Sequence, residues 1–234
     1  MKPPTGLIFD LDGVLVDTAD LHLSAWRSAA AEAGLDLSVF DSIDLRGVRR
    51  DQCLRLISRG RVISQSDGLA IMSAKDELYR CAVAKRGRQI RVEGVDELLR
   101  TLRSHGYRTG VASASRNAQL LMRNAAITDL ADHVCDGHFD GPPKPAPDQF
   151  LAVARLLDIE PGRCLVFEDS NAGVDGAHAA GMAIVGIGPA VFGRNELCGW
   201  LQSLRGVTFQ RVMELRPFAS LSEKSQAFDS ATPD

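Results

Sequence analysis

Short apolar runs alternate with segments whose apolar residues recur at helical spacing along most of the chain. Leu7-Ile8-Phe9 is one strand-length run, and others recur at 108–112, 164–167 and 183–187, with a weaker one at 133–135. Strands of a parallel sheet are covered on both faces and read as continuous apolar runs of this kind. Between them, Val95, Leu98, Leu99 and Leu102 keep the i, i+3, i+4, i+7 spacing of one helix face, and Gly106 ends that run. Phe150, Val153, Ala154 and Leu157 repeat the pattern behind Pro145 and Pro147, and Val174, Ala177 and Ala180 repeat it before Gly181. Strand and helix in alternation predict an α/β, doubly wound parallel-sheet (Rossmann-like) core.

The stretch from Thr18 to Gln89 departs from this alternation. It reads as several helices without a strand, among them 21–33 and 71–85. An all-helical block after the first strand predicts an inserted α-helical cap domain over 18–89, with the core formed by 1–17 and 90–219. The hinges are expected near 17–19 and 88–93. Residues 220–234, rich in Ser, Asp, Lys and Gln, read as a frayed tail.

Composition narrows the function classes. The 234 residues are 45% hydrophobic and 24% charged, with formal net charge −3 and pI about 6.0. No global positive field favours nucleic acid, and no apolar stretch approaches the roughly 20 residues of a membrane span. Any anionic ligand must be held by local cations. The five cysteines are odd in number and scattered without a Cys-x-x-Cys pair, which fits reduced thiols. A cytoplasmic monomer acting on a small molecule is the expectation.

Candidate chemistry falls where the predicted core strands end. Asp10 and Asp12 follow the first strand, and in extended backbone both would point the same way. Ser113, Ser115, Arg116 and Asn117 follow the second, where hydroxyls and amides at a helix start suit a phosphate oxygen. Lys144 stands between Pro143 and Pro145, which restrict the backbone around its ammonium. Glu168 and Asp169 follow the run at 164–167. Hard carboxylate oxygens from Asp10, Asp169 and Glu168 suit Mg²⁺. Each motif alone has a plainer reading: an acid pair forms a turn, Ser113 or Asn171 caps a helix, and Trp26 packs a core.

In this order the residues resemble the haloacid dehalogenase-like phosphotransferase superfamily, over 7–188. The resemblance implies a doubly wound core with an inserted cap and Asp10 as the nucleophile. It implies Asp12 as general acid/base, with Ser113 and Lys144 holding the transferring phosphate. Magnesium would bind Asp10, Glu168, Asp169 and the main-chain carbonyl of Asp12. An aspartate at position 12 favours phosphate chemistry over dehalogenation.

The cap narrows this further. Asp-Gly-Val-Leu-Val-Asp-Thr followed by His22 and Trp26, then Arg46-Gly47-Val48-Arg49-Arg50, then Ser113-Ala114-Ser115-Arg116-Asn117, resembles the β-phosphoglucomutases. These interconvert β-glucose 1-phosphate and glucose 6-phosphate through a 1,6-bisphosphate. The resemblance puts Arg50 on a distal phosphate and Ser115, Arg116 and Asn117 at the mouth. Gly47, Val48 and Lys75 would line the sugar side, with Thr18 and His22 near the hinge. Arg116 stands where a lysine is familiar, and Pro143 where a small polar residue is often seen. A sugar-phosphate phosphatase on the same scaffold, and a non-catalytic phosphosugar-binding protein, are the rival readings.

Overall fold

The computed structural model describes residues 4–37 and 50–215. The expected tail at 220–234, and the cap residues Arg46, Gly47, Val48 and Arg49, lie outside them. Six strands, β1 (Gly6–Phe9), β2 (Arg108–Ala112), β3 (His133–Cys135), β4 (Cys164–Glu168), β5 (Ala183–Ile187) and β6 (Gly199–Leu201), form one sheet. The order is β3-β2-β1-β4-β5-β6, and every neighbouring pair is parallel. The chain runs outward from β1 through β2 to β3, then returns to the other side of β1 as β4. That reversal leaves a crevice beyond the carboxyl ends of β1 and β4, where open α/β sheets bind their ligands.

Alternation along the strands explains the two layers. Leu7, Phe9, Val111, Leu165, Phe167 and Val185 belong to one buried cluster, which takes in Val95, Leu98, Leu99 and Leu102 of α4 (Val95–Ser104) and Leu121 and Met122 of α5 (Ala118–Ala125). Ile8, Ala112, Val166 and Ile184 belong to a second, with Phe150 and Val153 of α6 (Asp148–Leu156) and Val174 and Ala177 of α7 (Asn171–Ala179). Phe9 pairs with Phe167 in register, and their rings stack at 4.7 Å. The central strand is thereby clamped just below the residues that follow it.

Helices α1 (Ala19–Glu32), α2 (Arg50–Ser58) and α3 (Gln65–Arg86) form the inserted helical cap. Trp26, Ala29, Ala30, Cys53, Leu54, Ile57 and Ile71 give it an apolar core of its own. Ser64 starts α3 by accepting a hydrogen bond from the Asp67 amide, and Gly87 at φ +54° ends it. The two connections to the core run side by side: the Asp17 amide donates to the Ile90 carbonyl at 2.7 Å, and the Val92 amide to that of Leu15 at 3.1 Å. The cap is not separate along its inner edge. Leu21 and Ala25 of α1, and Tyr79 and Val83 of α3, are continuous with the core cluster around Phe9.

A short helix α8 (Phe209–Met213) completes the chain as described. No described helix is long and apolar enough to cross a membrane.

Candidate active site between core and cap

A cavity of about 640 Å³ opens between the carboxyl ends of the strands and the cap. Asp10, Asp12, Ser113, Lys144, Glu168 and Asp169 line it from the core, and Thr18, His22, Trp26, Arg50 and Lys75 from the cap side. Ser115, Arg116 and Asn117 also line it. The structure therefore brings together every expected site residue that it describes; Gly47 and Val48 lie outside the described residues.

Asp10 and Asp12 both line the cavity, as the sequence implied, but their carboxylates meet different partners. β1 ends at Phe9, and Asp10 keeps only a ladder bond from its amide to the Phe167 carbonyl. Beyond it the chain coils into a tight turn: the Leu15 and Val16 amides both donate to the Leu11 carbonyl, and Gly13 takes φ +87°. A left-handed conformation of that kind favours glycine. The turn brings Asp12 to the same cavity but hands its carboxylate to the cap.

On the core side, Lys144 is the organising cation. Its Nζ donates to Asp10 Oδ1 at 2.6 Å, to Glu168 Oε2 at 2.8 Å and to the Ala112 carbonyl at 2.9 Å. Glu168 Oε1 in turn accepts from the Asp169 and Ser170 amides and the Ser170 hydroxyl. Gly173 packs so closely on Glu168 that a Cβ there would collide with the carboxylate. Ser170 caps α7 by accepting from the Gly173 amide. Asn171, read from the sequence as a possible cap, instead offers its side-chain and main-chain oxygens to Arg194.

Asp10, Glu168 and Asp169 each place a carboxylate oxygen within 4.8 Å of the others, and all three are buried. Burial raises the Asp10 carboxyl well above its ordinary range, Lys144 opposes this, and Glu168 and Asp169 add to it. The Lys144 ammonium contacts two of these three acids, Asp10 and Glu168. An all-oxygen, excess-negative cluster suits a hard divalent cation of the magnesium type.

On the cap side, Asp12 Oδ1 accepts from the Thr18 hydroxyl at 2.5 Å and from the Tyr79 hydroxyl at 3.4 Å, and lies 3.5 Å from His22 Nε2. Thr18 precedes α1 at its N-cap but makes no side-chain cap bond, because its hydroxyl is given to Asp12. Lys75 Nζ lies 2.9 Å from His22 Nδ1. A lysine donating to Nδ1 leaves the neutral ring's proton on Nε2, facing Asp12. Burial alone would raise the Asp12 carboxyl, yet His22, Thr18 and the charge of Lys75 together hold it below its ordinary value. Burial and Lys75 push His22 down, and burial and Arg50 push Lys75 down to about 8.

Ser113 is buried, and its hydroxyl accepts from the Ser115 amide across the turn that leaves β2. It does not cap α5, which starts after Asn117. Trp26 is part of the cap's own core as well as the cavity wall. Arg50 Nη2 and Asn117 Nδ2 both reach Asp76 Oδ1, at 2.7 and 2.8 Å.

Sequence reasoning missed three residues. Tyr79 stacks on His22 at 4.0 Å and reaches Asp12. Its position four residues after Lys75 on one helix face was the available signal. Asp76 meets Arg50 and Asn117, and Gln149 donates to the Ser113 and Asp136 carbonyls, tying two site loops together. No local pattern announces either.

A family model for haloacid dehalogenase-like hydrolases matches residues 4–181. The chain belongs to that family. Among relatives, it is 33% identical over 186 residues to a β-phosphoglucomutase of Bacillus subtilis, covering 78% of this chain and 82% of that protein. It is 31% identical over 190 residues to the fructose-1-phosphate phosphatase YqaB of Escherichia coli, covering 78% and 95%. The crystal structure of a β-phosphoglucomutase from Clostridium difficile superposes with TM-score 0.82 at 27% identity, covering 94% of this chain and 99% of that one. The haloacid dehalogenase-like relatives thus include both phosphoryl-moving and phosphate-releasing enzymes.

Proposed function

We propose that the protein is a magnesium-dependent β-phosphoglucomutase, interconverting β-D-glucose 1-phosphate and D-glucose 6-phosphate through glucose 1,6-bisphosphate. What supports this reading is a single cavity lined by two groups of donors suited to phosphate: Lys144 and Ser113 with Asp10, and Arg50, Arg116 and Asn117, of which Arg50 and Asn117 meet at Asp76. A bisphosphate that presents either end to one nucleophile needs both. In this reading the cap spans 18–89, and Thr18, His22, Trp26, Lys75 and Ser115 complete the sugar's surroundings.

A carboxylate oxygen of Asp10 attacks phosphorus, a P–O bond to the sugar breaks, and an aspartyl-phosphate forms. Asp12 takes a proton from the sugar hydroxyl that attacks the aspartyl-phosphate, and returns it to the sugar oxygen that departs when Asp10 attacks the other phosphate. Its low pKa and its bonds to Thr18 and His22 favour the base state before substrate arrives. Lys144 offsets charge on the moving PO₃ unit and orients Asp10. Magnesium, held by Asp10, Glu168, Asp169 and the Asp12 carbonyl, would supply further charge neutralisation. Cap closure keeps water from the phosphoenzyme.

A sugar-phosphate phosphatase is the second reading, favoured by the phosphatase relative that the chain matches over 95% of that protein's length. One assay separates them. β-glucose 1-phosphate, Mg²⁺ and a trace of bisphosphate are supplied, and glucose 6-phosphate and free phosphate are followed together. The mutase reading expects isomerisation to dominate and Arg50→Ala to lower it at least tenfold more than hydrolysis of a small phosphate ester. Free phosphate as the main product, with no response to bisphosphate, would support the phosphatase.

A further inference from the structure

Arg50 and Asn117 come from different parts of the molecule, one from cap helix α2 and one from the core loop ahead of α5. They nevertheless converge on the same atom, Oδ1 of Asp76 on cap helix α3, at 2.7 and 2.8 Å. Two donors from cap and core sharing one anionic oxygen is the arrangement a bound phosphoryl oxygen would adopt there. The groove around them holds about 410 Å³, and Arg80, Arg116 and Arg123 add to its positive lining. Asp76 is the only acid among the described residues of that groove.

We propose that Asp76 is a specificity-determining residue: an internal carboxylate that occupies the distal-phosphate donors, joins cap to core through them, and must be displaced by the second phosphoryl group. This rests on the two-ended reading of the cavity given above. A phosphoryl dianion outcompetes a tethered carboxylate in a groove lined by guanidinium groups, whereas a singly charged or neutral group does not. Asp76 therefore sets a threshold, so that the mouth opens to ligands carrying a dianion at their far end. Its tether to α3 keeps the carboxylate near Arg50 after displacement, ready to return when the ligand turns around.

The test uses the full chain with Asp10→Asn, so that ligands bind without turnover. Dissociation constants for inorganic phosphate and for glucose 1,6-bisphosphate are measured by calorimetry in Mg²⁺, alone and with Asp76→Asn, Asp76→Ala or Arg50→Ala. Removing the competing charge is expected to raise the ratio of bisphosphate to phosphate affinity about three- to tenfold, the range for a part-exposed ion pair with hydrogen bonds. Asp76→Asn keeps the side chain's shape and guards against misfolding in the alanine variant. A ratio that falls would make Asp76 a support that positions Arg50, and an unchanged ratio would make it a bystander. Either overturns the proposal while leaving the two-ended cavity intact, provided Arg50→Ala still lowers bisphosphate affinity. An Arg50→Ala variant that binds bisphosphate as well as its parent would refute the two-ended reading, and this proposal with it.

Discussion

Replacing Lys144 with methionine should damage the fold as well as the chemistry, and by an amount the geometry sets. The Lys144 side chain is 5% exposed and bridges Asp10, at 11%, and Glu168, at 1%. Methionine fills similar volume but leaves both carboxylates buried without their cation. Removing one partner of a buried ion pair costs about 3–5 kcal/mol. For a chain of this size each kcal/mol moves Tm by about 2–4 °C, so a fall of about 6–20 °C is expected. The assay is thermal and urea unfolding followed by circular dichroism in the presence of a chelator, from pH 8 down to pH 5. The pH dependence carries the argument. Burial and its acidic neighbours raise the Asp10 carboxyl, so acidification lets it take up a proton and relieves the unpaired charge in the variant. The gap between wild type and variant should therefore narrow as pH falls. Added Mg²⁺ should narrow it at neutral pH. A loss below about 1 kcal/mol, or a gap that widens on acidification, would refute the view that Lys144 is the cation on which this buried cluster depends.

Two further outcomes follow from the same packing. Gly173→Ala drives a methyl into the Glu168 carboxylate and should cost about 1–3 kcal/mol as overpacking does; an unchanged urea midpoint would contradict the described contact. Lys75, pushed down from 10.5 to about 8 mainly by burial and then by Arg50, binds fewer protons in the folded than in the unfolded chain between those values. Stability of the wild type relative to Lys75→Met should therefore rise between pH 8 and pH 10.5, by up to about 3 kcal/mol. A flat difference in paired unfolding titrations would show that the ammonium is not desolvated.

Much of the core was legible because its elements bury continuous surfaces. The apolar runs of β1, β2, β4 and β5 and the spaced residues of α4, α6 and α7 are the local imprint of two-sided burial. The last strand, β6, is three residues at the sheet edge, too short and too partly exposed to leave such a pattern. Asp10, Ser113, Lys144, Glu168 and Asp169 could be picked out because each lies at or beyond the carboxyl end of a strand, and those ends share one side of a parallel sheet. The partners of Asp12 could not, because Thr18, His22 and Tyr79 meet it only once the turn after Leu11 and the cap helices are in place. Asp76 and Gln149 stayed hidden for a similar reason. Their partners, Arg50 and Asn117 for one and Ser113 and Asp136 for the other, are distant in sequence and meet only when cap and core, or two core loops, come together.

In the proposed reaction the side chain after Phe9 carries the phosphoryl group during turnover. The direct measurement is mass spectrometry of acid-quenched protein after incubation with glucose 1,6-bisphosphate and Mg²⁺, wild type beside Asp10→Asn. A phosphoryl mass increment, labile to hydroxylamine, is expected on the peptide containing Asp10 in the wild type and none in the variant, which should also lose turnover. An increment on another residue, or a variant that keeps its activity, would contradict it.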